Sequence, residues 1–158
     1  MTYVIEHLLT PIILVVSVVA AFLGIRNARE ISRKKATIDL IDRFESTAFY
    51  QKINSTFSYY RNTDSFHRLH NPIEPKEKSE RREVLDFLNH YELVAIGIEQ
   101  RVLDEQMYKY WMCGPMVRDW NAAADFIQRE RWKYDTIKCD WSYYEKPYEN
   151  YERISHRL

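Results

Sequence analysis

Glycine is nearly missing from this sequence. Gly24, Gly97 and Gly114 are the three among 158 residues, and they stand far apart. A dinucleotide-binding fingerprint and a P-loop each need several glycines within one turn, so nucleotide binding by either route is excluded. Cysteine is scarcer still. Cys113 and Cys139 are too few and too distant for a disulfide framework or a zinc knuckle. They fit a reducing compartment and read as small buried side chains rather than reactive thiols. There is no excess of charge of either sign, with 23 Lys+Arg against 23 Asp+Glu. A dedicated nucleic-acid surface is usually clearly basic, so no nucleic-acid partner is expected. His67-x-x-His70 offers half of a metal site with no second pair at recognisable spacing, so no metal and no cofactor is expected.

Charge is also absent from Leu8–Ile25, LLTPIILVVSVVAAFLGI. A run of this length is a transmembrane helix candidate. At about 1.5 Å per residue it spans about 27 Å, slightly under the hydrocarbon thickness of about 30 Å. Pro11 leaves two readings. It starts the helix after a Thr10 cap, leaving about 22 Å of apolar helix, or it sits inside a longer helix that begins near Thr2. The longer helix is favoured, with Tyr3 at the outer interface and Glu6 and His7 near the headgroups. A cleaved secretory signal fits poorly, because such a peptide begins with positive charge and here the only charge upstream is Glu6. Arg26, Arg29, Arg33, Lys34 and Lys35 follow the run instead. This asymmetry predicts a single-pass anchor with its N-terminus outside and the remainder in the cytoplasm. The same five residues are expected to contact anionic headgroups. Within the span, Ser17/Ala21 and Ala20/Gly24 are two small-xxx-small pairs, a spacing that lets two membrane helices approach closely. The chain divides accordingly into an anchor over 1–25, a basic helical segment over 26–36 and a helical domain over 37–158.

Aromatic side chains are abundant, with 12 Tyr, 7 Phe and 4 Trp, and they can fill the core of a small domain. No Pro or Gly interrupts Arg26–Arg61. Ile31, Ile38, Ile41, Phe44, Phe49, Ile53, Phe57 and Tyr60 recur there at helical spacings, with a break expected at Ser46-Thr47. His67–Ser79 reads as a loop. Val84, Phe87, Leu88, Tyr91, Val94, Ala95 and Ile98 form one apolar face of the clearest soluble helix. Asp104 should cap the next helix, stapled by Leu103 and Tyr108, and Gly114-Pro115 should kink or break it. Pro147 is expected to open a last short helix. No segment shows strand alternation, so the expected fold is all-α, a transmembrane helix followed by a small cytoplasmic helical bundle.

The stretch VLDFLNHYELVAIGIEQRVLDEQMYKYWM, with its LNxYExVAxGI…DE core, followed by RDW and FIQRER, resembles a family of small bacterial and phage proteins. KATIDLIDRF and the closing YENYERI look like the same family. Its members have an N-terminal membrane helix and a cytoplasmic helical domain of unknown function. The resemblance covers most of the chain. It departs at Arg101, where such proteins usually place a helix-ending Gly, and again at Pro115 and in the aromatic insertion Tyr134–Lys146. It implies fold, topology and a bacterial inner-membrane location, with phage defence, superinfection exclusion or anti-defence as the setting.

Several constellations invite chemistry. Asn89 and Glu92 share a helix face and could form a polar site, although holding neighbouring helices together is the simpler role. Arg61-Asn62-Thr63-Asp64-Ser65-Phe66-His67 resembles the Arg-polar-x4-His motif of HEPN-type ribonucleases, in which Arg stabilises phosphate and His works in acid–base chemistry. Arg129, Arg131, Trp132, Lys133, Tyr134 and Lys138 interleave basic and aromatic groups as single-strand binders do. Glu130, Asp135 and Asp140 offset that charge, and a helix turning its aromatics inward is expected instead. The leading expectation is a non-catalytic interaction or regulatory protein at the membrane, working with a protein partner or a second copy. The alternative is a tethered ribonuclease or other effector using Arg61 and His67.

Overall fold

The computed structural model describes residues 2–158, with side chains described from Pro11 onward. The roles expected of the Tyr3, Glu6, His7 and Thr10 side chains therefore lie outside the described residues. The elements are α1 (Thr2–Ser46), α2 (Ala48–Asn62), a 3-10 turn (Phe66–Leu69), α3 (Pro75–Glu99), α4 (Glu105–Glu130), β1 (Trp132–Asp135), β2 (Asp140–Tyr143) and α5 (Glu149–Arg157). The molecule is nearly all-α, as the periodicity predicts.

Helix α1 is 45 residues long with Pro11 inside it, which is the longer of the two expected helices. It ends where Thr47, in extended conformation, accepts from the Tyr50 N–H and caps α2. The stripe by which α1 meets the bundle is Ala36, Leu40 and Phe44, with Thr37 fully buried. Ile31 and Ile38, expected on the packed face, remain exposed, as does Phe49 of α2. Thr37 explains the choice of face. Its hydroxyl donates to the Arg33 carbonyl at 2.9 Å and accepts from the Asp104 N–H at 2.8 Å, pinning the start of α4 to α1.

The core lies between α2, α3, α4 and α5. Phe57 stacks on Phe87 with centroids 4.3 Å apart, and Tyr91 on Tyr151 at 4.8 Å. The predicted α3 face, Val84 to Ile98, is buried in full. Helix α3 starts earlier than expected, because Pro75 takes a first-turn position where its missing N–H costs nothing. It ends in a Schellman motif. Val102 N–H donates to the Gly97 carbonyl at 2.9 Å and Arg101 N–H to the Ile98 carbonyl at 3.0 Å. Arg101 takes the left-handed position at φ 56°, so the chain accepts there the backbone cost that a glycine avoids. Leu103 folds back over Gly97, where an added Cβ would stand 2.7 Å from Leu103 Cδ1. Asp104 caps α4 through Met107 N–H, and Leu103 and Tyr108 are both buried at the staple positions.

Of the kink or break expected at Gly114-Pro115, the break is absent, because buried Tyr108 on one side and Met116 and Trp120 on the other hold both halves in the core. Two other expectations fail. Pro147 does not open α5. Tyr148, left-handed at φ 60°, is its N-cap, and the helix starts at Glu149. Finally, the insertion after α4 is a β-hairpin rather than a helix. Trp132 pairs with Tyr143 and Tyr134 with Trp141 across an antiparallel ladder. The turn is closed by Asp135 Oδ1, which accepts from the N–H groups of Ile137 and Lys138. Buried Arg131 secures the hairpin to α5, donating to the Pro147 carbonyl, the Tyr143 hydroxyl and the Glu152 carboxylate, the last at 2.6 Å.

Candidate functional site

The residues singled out by sequence fall in four separate places. The first is the stretch of α1 that leaves the apolar run. Phe22, Arg26, Arg29, Arg33 and Ala36 recur at helical spacing and so share one face, which lines a groove of about 620 Å³. The opposite wall is the α3–α4 turn, contributing Gln100, Arg101 and Val102. Thr37 holds that turn in place through Asp104. Lys34 is drawn off the groove by Glu30, 2.6 Å away, and this pair lowers the carboxyl pKa and raises that of the ammonium. Lys35 is exposed and does not line the groove. The structure thus splits the five expected headgroup residues and adds Arg101. In sequence, the only trace of Arg101 was a basic residue where a helix-ending glycine was expected.

The second place is the buried carboxylate Asp119, 2% exposed, which sequence reasoning passed over. It accepts from Arg61 Nη1 at 2.6 Å, Tyr91 Oη at 3.0 Å and Arg118 Nε at 3.2 Å. Burial, reinforced by this charge, pushes the Tyr91 phenol far up, so it stays protonated and donates. Arg61 is therefore committed to Asp119, while His67 sits exposed on the 3-10 turn. None of the described hydrogen bonds joins Arg61 to His67.

Glu92 occupies the third place. It reaches across to the start of α5, accepting from Asn150 Nδ2 at 2.7 Å, Asn150 N–H at 3.3 Å and Tyr151 N–H at 2.8 Å. It caps a helix whose own N-cap residue offers no side-chain bond. Asn89 is exposed and does not join it.

The fourth is the hairpin. Trp132, Tyr134, Trp141 and Tyr143 lie on one face of the ladder and are 43–61% exposed. The expectation that these aromatics pack inward is overturned, because a two-stranded ribbon has no second layer to cover that face. Trp132 and Trp141 line a cleft of about 400 Å³ with His70, Asn71 and Arg129. Burial lowers the His70 pKa, with the Arg129 charge adding to it. Among the described residues no group of three His, Cys, Asp or Glu side chains is placed to hold a metal ion.

A family model, the domain of unknown function DUF4760, matches residues 11–157. The chain belongs to this family. The resemblance read from residues 84–131 is met, and the match takes in the apolar part of α1 together with the bundle. Comparisons with curated proteins and with solved structures give no match. Among the described residues of this DUF4760 chain, one helix is long and apolar enough to cross a membrane, and none of its apolar stretch is buried.

Proposed function

We propose that this DUF4760 protein is a single-pass membrane anchor carrying a small cytoplasmic interaction module, with its N-terminus outside and no catalysis of its own. The observation that carries the reading is the division of α1. Pro11–Ile25 leaves Ile12, Leu14, Val15, Val18, Phe22 and their neighbours exposed, whereas Ala36, Leu40 and Phe44 of the same helix pack into the bundle. An apolar band of that size is not left in water by a stable soluble protein. The basic residues immediately after it favour a cytoplasmic domain. Adding a C-terminal reporter active only in the cytoplasm, with alkaline extraction of membranes, tests this. Activity in the membrane pellet is expected, and a silent fusion or an extractable protein would end the proposal.

The partner proposed is a second copy of the chain. Ser17, Ala21, Gly24, Ala28, Ile31, Lys35 and Ile38 are all exposed and alternate at spacings of four and three, the period of a coiled-coil seam. Ala20 flanks this seam and sets the Ala20/Gly24 pair beside it. The small residues sit in the apolar half and the isoleucines beyond it, so a single seam would run through both. Single cysteines at 24, 31 and 38 in a chain lacking Cys113 and Cys139 should crosslink in membranes, while cysteines at 22, 29 and 33 should not. Equal crosslinking on both faces would remove the seam.

A further inference from the structure

The groove between α1 and the α3–α4 turn has the composition of a ligand site. Arg26, Arg29, Arg33 and Arg101 converge on it, and among the described residues none of the four makes an ion pair. The neighbouring carboxylate, Glu30, is already held by Lys34. Arg33 Nε is buried and makes no hydrogen bond within the chain, so a donor is held ready that the protein does not use. Arg101 occupies a left-handed backbone position that favours glycine. Backbone strain that brings a charged side chain to a cluster of the same charge is unfavourable unless an anion is there to receive it. The other lining groups, Phe22, Ile25 and Val102, are apolar, and Phe22 and Ile25 belong to the end of the apolar run.

We infer that this groove is a specific binding site for an anionic phospholipid, its phosphate groups gripped by Arg26, Arg29, Arg33 and Arg101 and its acyl chain lying against Phe22 and Ile25. The inference rests on the membrane-anchor reading above. Arg26 and Arg29 stand within about 6 Å of Ile25 along the helix, the depth of the headgroup layer. Arg33 is about 12 Å along and reaches back with its long side chain. Guanidinium is the group suited to phosphate, since its planar fork donates two parallel hydrogen bonds. Four such forks spread over that depth exceed what one phosphate can accept, so a lipid carrying two phosphates should bind best. Lys34 and Lys35, although part of the same basic run, contribute only diffuse attraction.

The test uses the full chain in neutral detergent, with lipid binding read by native mass spectrometry. Diphosphatidylglycerol should bind more tightly than phosphatidylglycerol, and phosphatidylcholine should bind least. Arg101→Gly removes the guanidinium while relieving the backbone, so the protein remains folded. It and Arg29→Gln should each weaken anionic lipid about fivefold, the factor expected for one basic residue at a lipid surface. Lys35→Gln, about 3 Å beyond Arg33 along the helix and on the other side of α1, should leave binding unchanged. Equal losses for Arg101→Gly and Lys35→Gln would mean diffuse charge and no site, and would overturn the inference. Displacement of bound lipid by millimolar inorganic phosphate would reassign the groove to a soluble anion and equally overturn it. Fractionation separates this from the parent reading. A membrane-bound chain without lipid preference sinks the site alone, and a chain found outside membranes sinks both.

Discussion

Replacing Asp119 by Ala is the sharpest probe of what Arg61 is for. The carboxylate side chain is 3% exposed and that of Arg61 15%. Truncation leaves the Arg61 guanidinium and the Tyr91 hydroxyl without their acceptor. Breaking a buried ion pair from one side costs about 3–5 kcal/mol. An orphaned hydroxyl adds about 1–3 kcal/mol. Arg61 recovers part of the loss by turning toward water, so a net destabilisation of about 4 kcal/mol is expected. Arg61→Met should cost less, about 2 kcal/mol, because Asp119 keeps Arg118 and Tyr91. The double variant Arg61→Met/Asp119→Ala leaves no uncompensated buried charge and should cost about 3 kcal/mol, less than Asp119→Ala alone, a coupling of about 3 kcal/mol. Urea unfolding of the full chain in mild detergent, followed by tryptophan fluorescence, measures all three, with Trp120 adjacent to the site and buried. An Asp119→Ala cost below about 1 kcal/mol, or strict additivity in the double variant, would refute the reasoning. It would also return Arg61 to the pool of free phosphate-binding groups on which the ribonuclease alternative depends.

Glu92→Ala should release the start of α5, costing about 1–2 kcal/mol as the loss of a helix cap does, and limited proteolysis should then cut first near Tyr148. Gly97→Ala forces its new Cβ against Leu103 and should destabilise by about 1–2 kcal/mol. Adding Leu103→Ala should return less than the sum of the two losses, because the clash disappears with the side chain. His90 packs against Phe44 with centroids 3.9 Å apart, and burial holds its pKa down to about 4. Its folded value lies below the unfolded one, so stability is full above about pH 6.5 and falls as pH drops toward 4, by about 2–3 kcal/mol. His90→Leu should flatten that part of the stability–pH curve, and an unchanged curve would dismiss His90 as its source.

What could be read in advance followed from period and capping chemistry. The α3 stripe from Val84 to Ile98, the Thr47 and Asp104 caps and the Leu103/Tyr108 staple all depend on neighbours within one or two turns, and local sequence specifies them. The hairpin was misread although Trp-Lys-Tyr-Asp and Asp-Trp-Ser-Tyr each alternate aromatic and polar. Four residues are too short for period two to stand out, and the turn uses a left-handed Cys139 where Gly or Asn would have signalled it. Pro115 misled as to a break for a different reason. Local chemistry opposes helix there, and buried side chains on both sides override it. The Asp119 cluster was invisible because its partners, Arg61 and Tyr91, lie 58 and 28 positions away.

The same distinction governs the groove. Arg26, Arg29 and Arg33 announce themselves as a basic run, and any such run attracts an anionic surface. Selection among them requires the third dimension. Helical phase turns these three, but neither Lys34 nor Lys35, toward the α3–α4 turn, and Thr37 fixes how close that turn stands. The Schellman geometry then decides where Arg101 projects, since its Cα position follows from the Gly97 and Ile98 carbonyls closing the end of α3. A charge cluster legible as composition becomes a shaped receptor only through a hydroxyl on α1 and a helix terminus about seventy residues away. Because α1 is unbroken from the apolar run to Thr37, a ligand held in the groove would brace that helix against the α3–α4 turn.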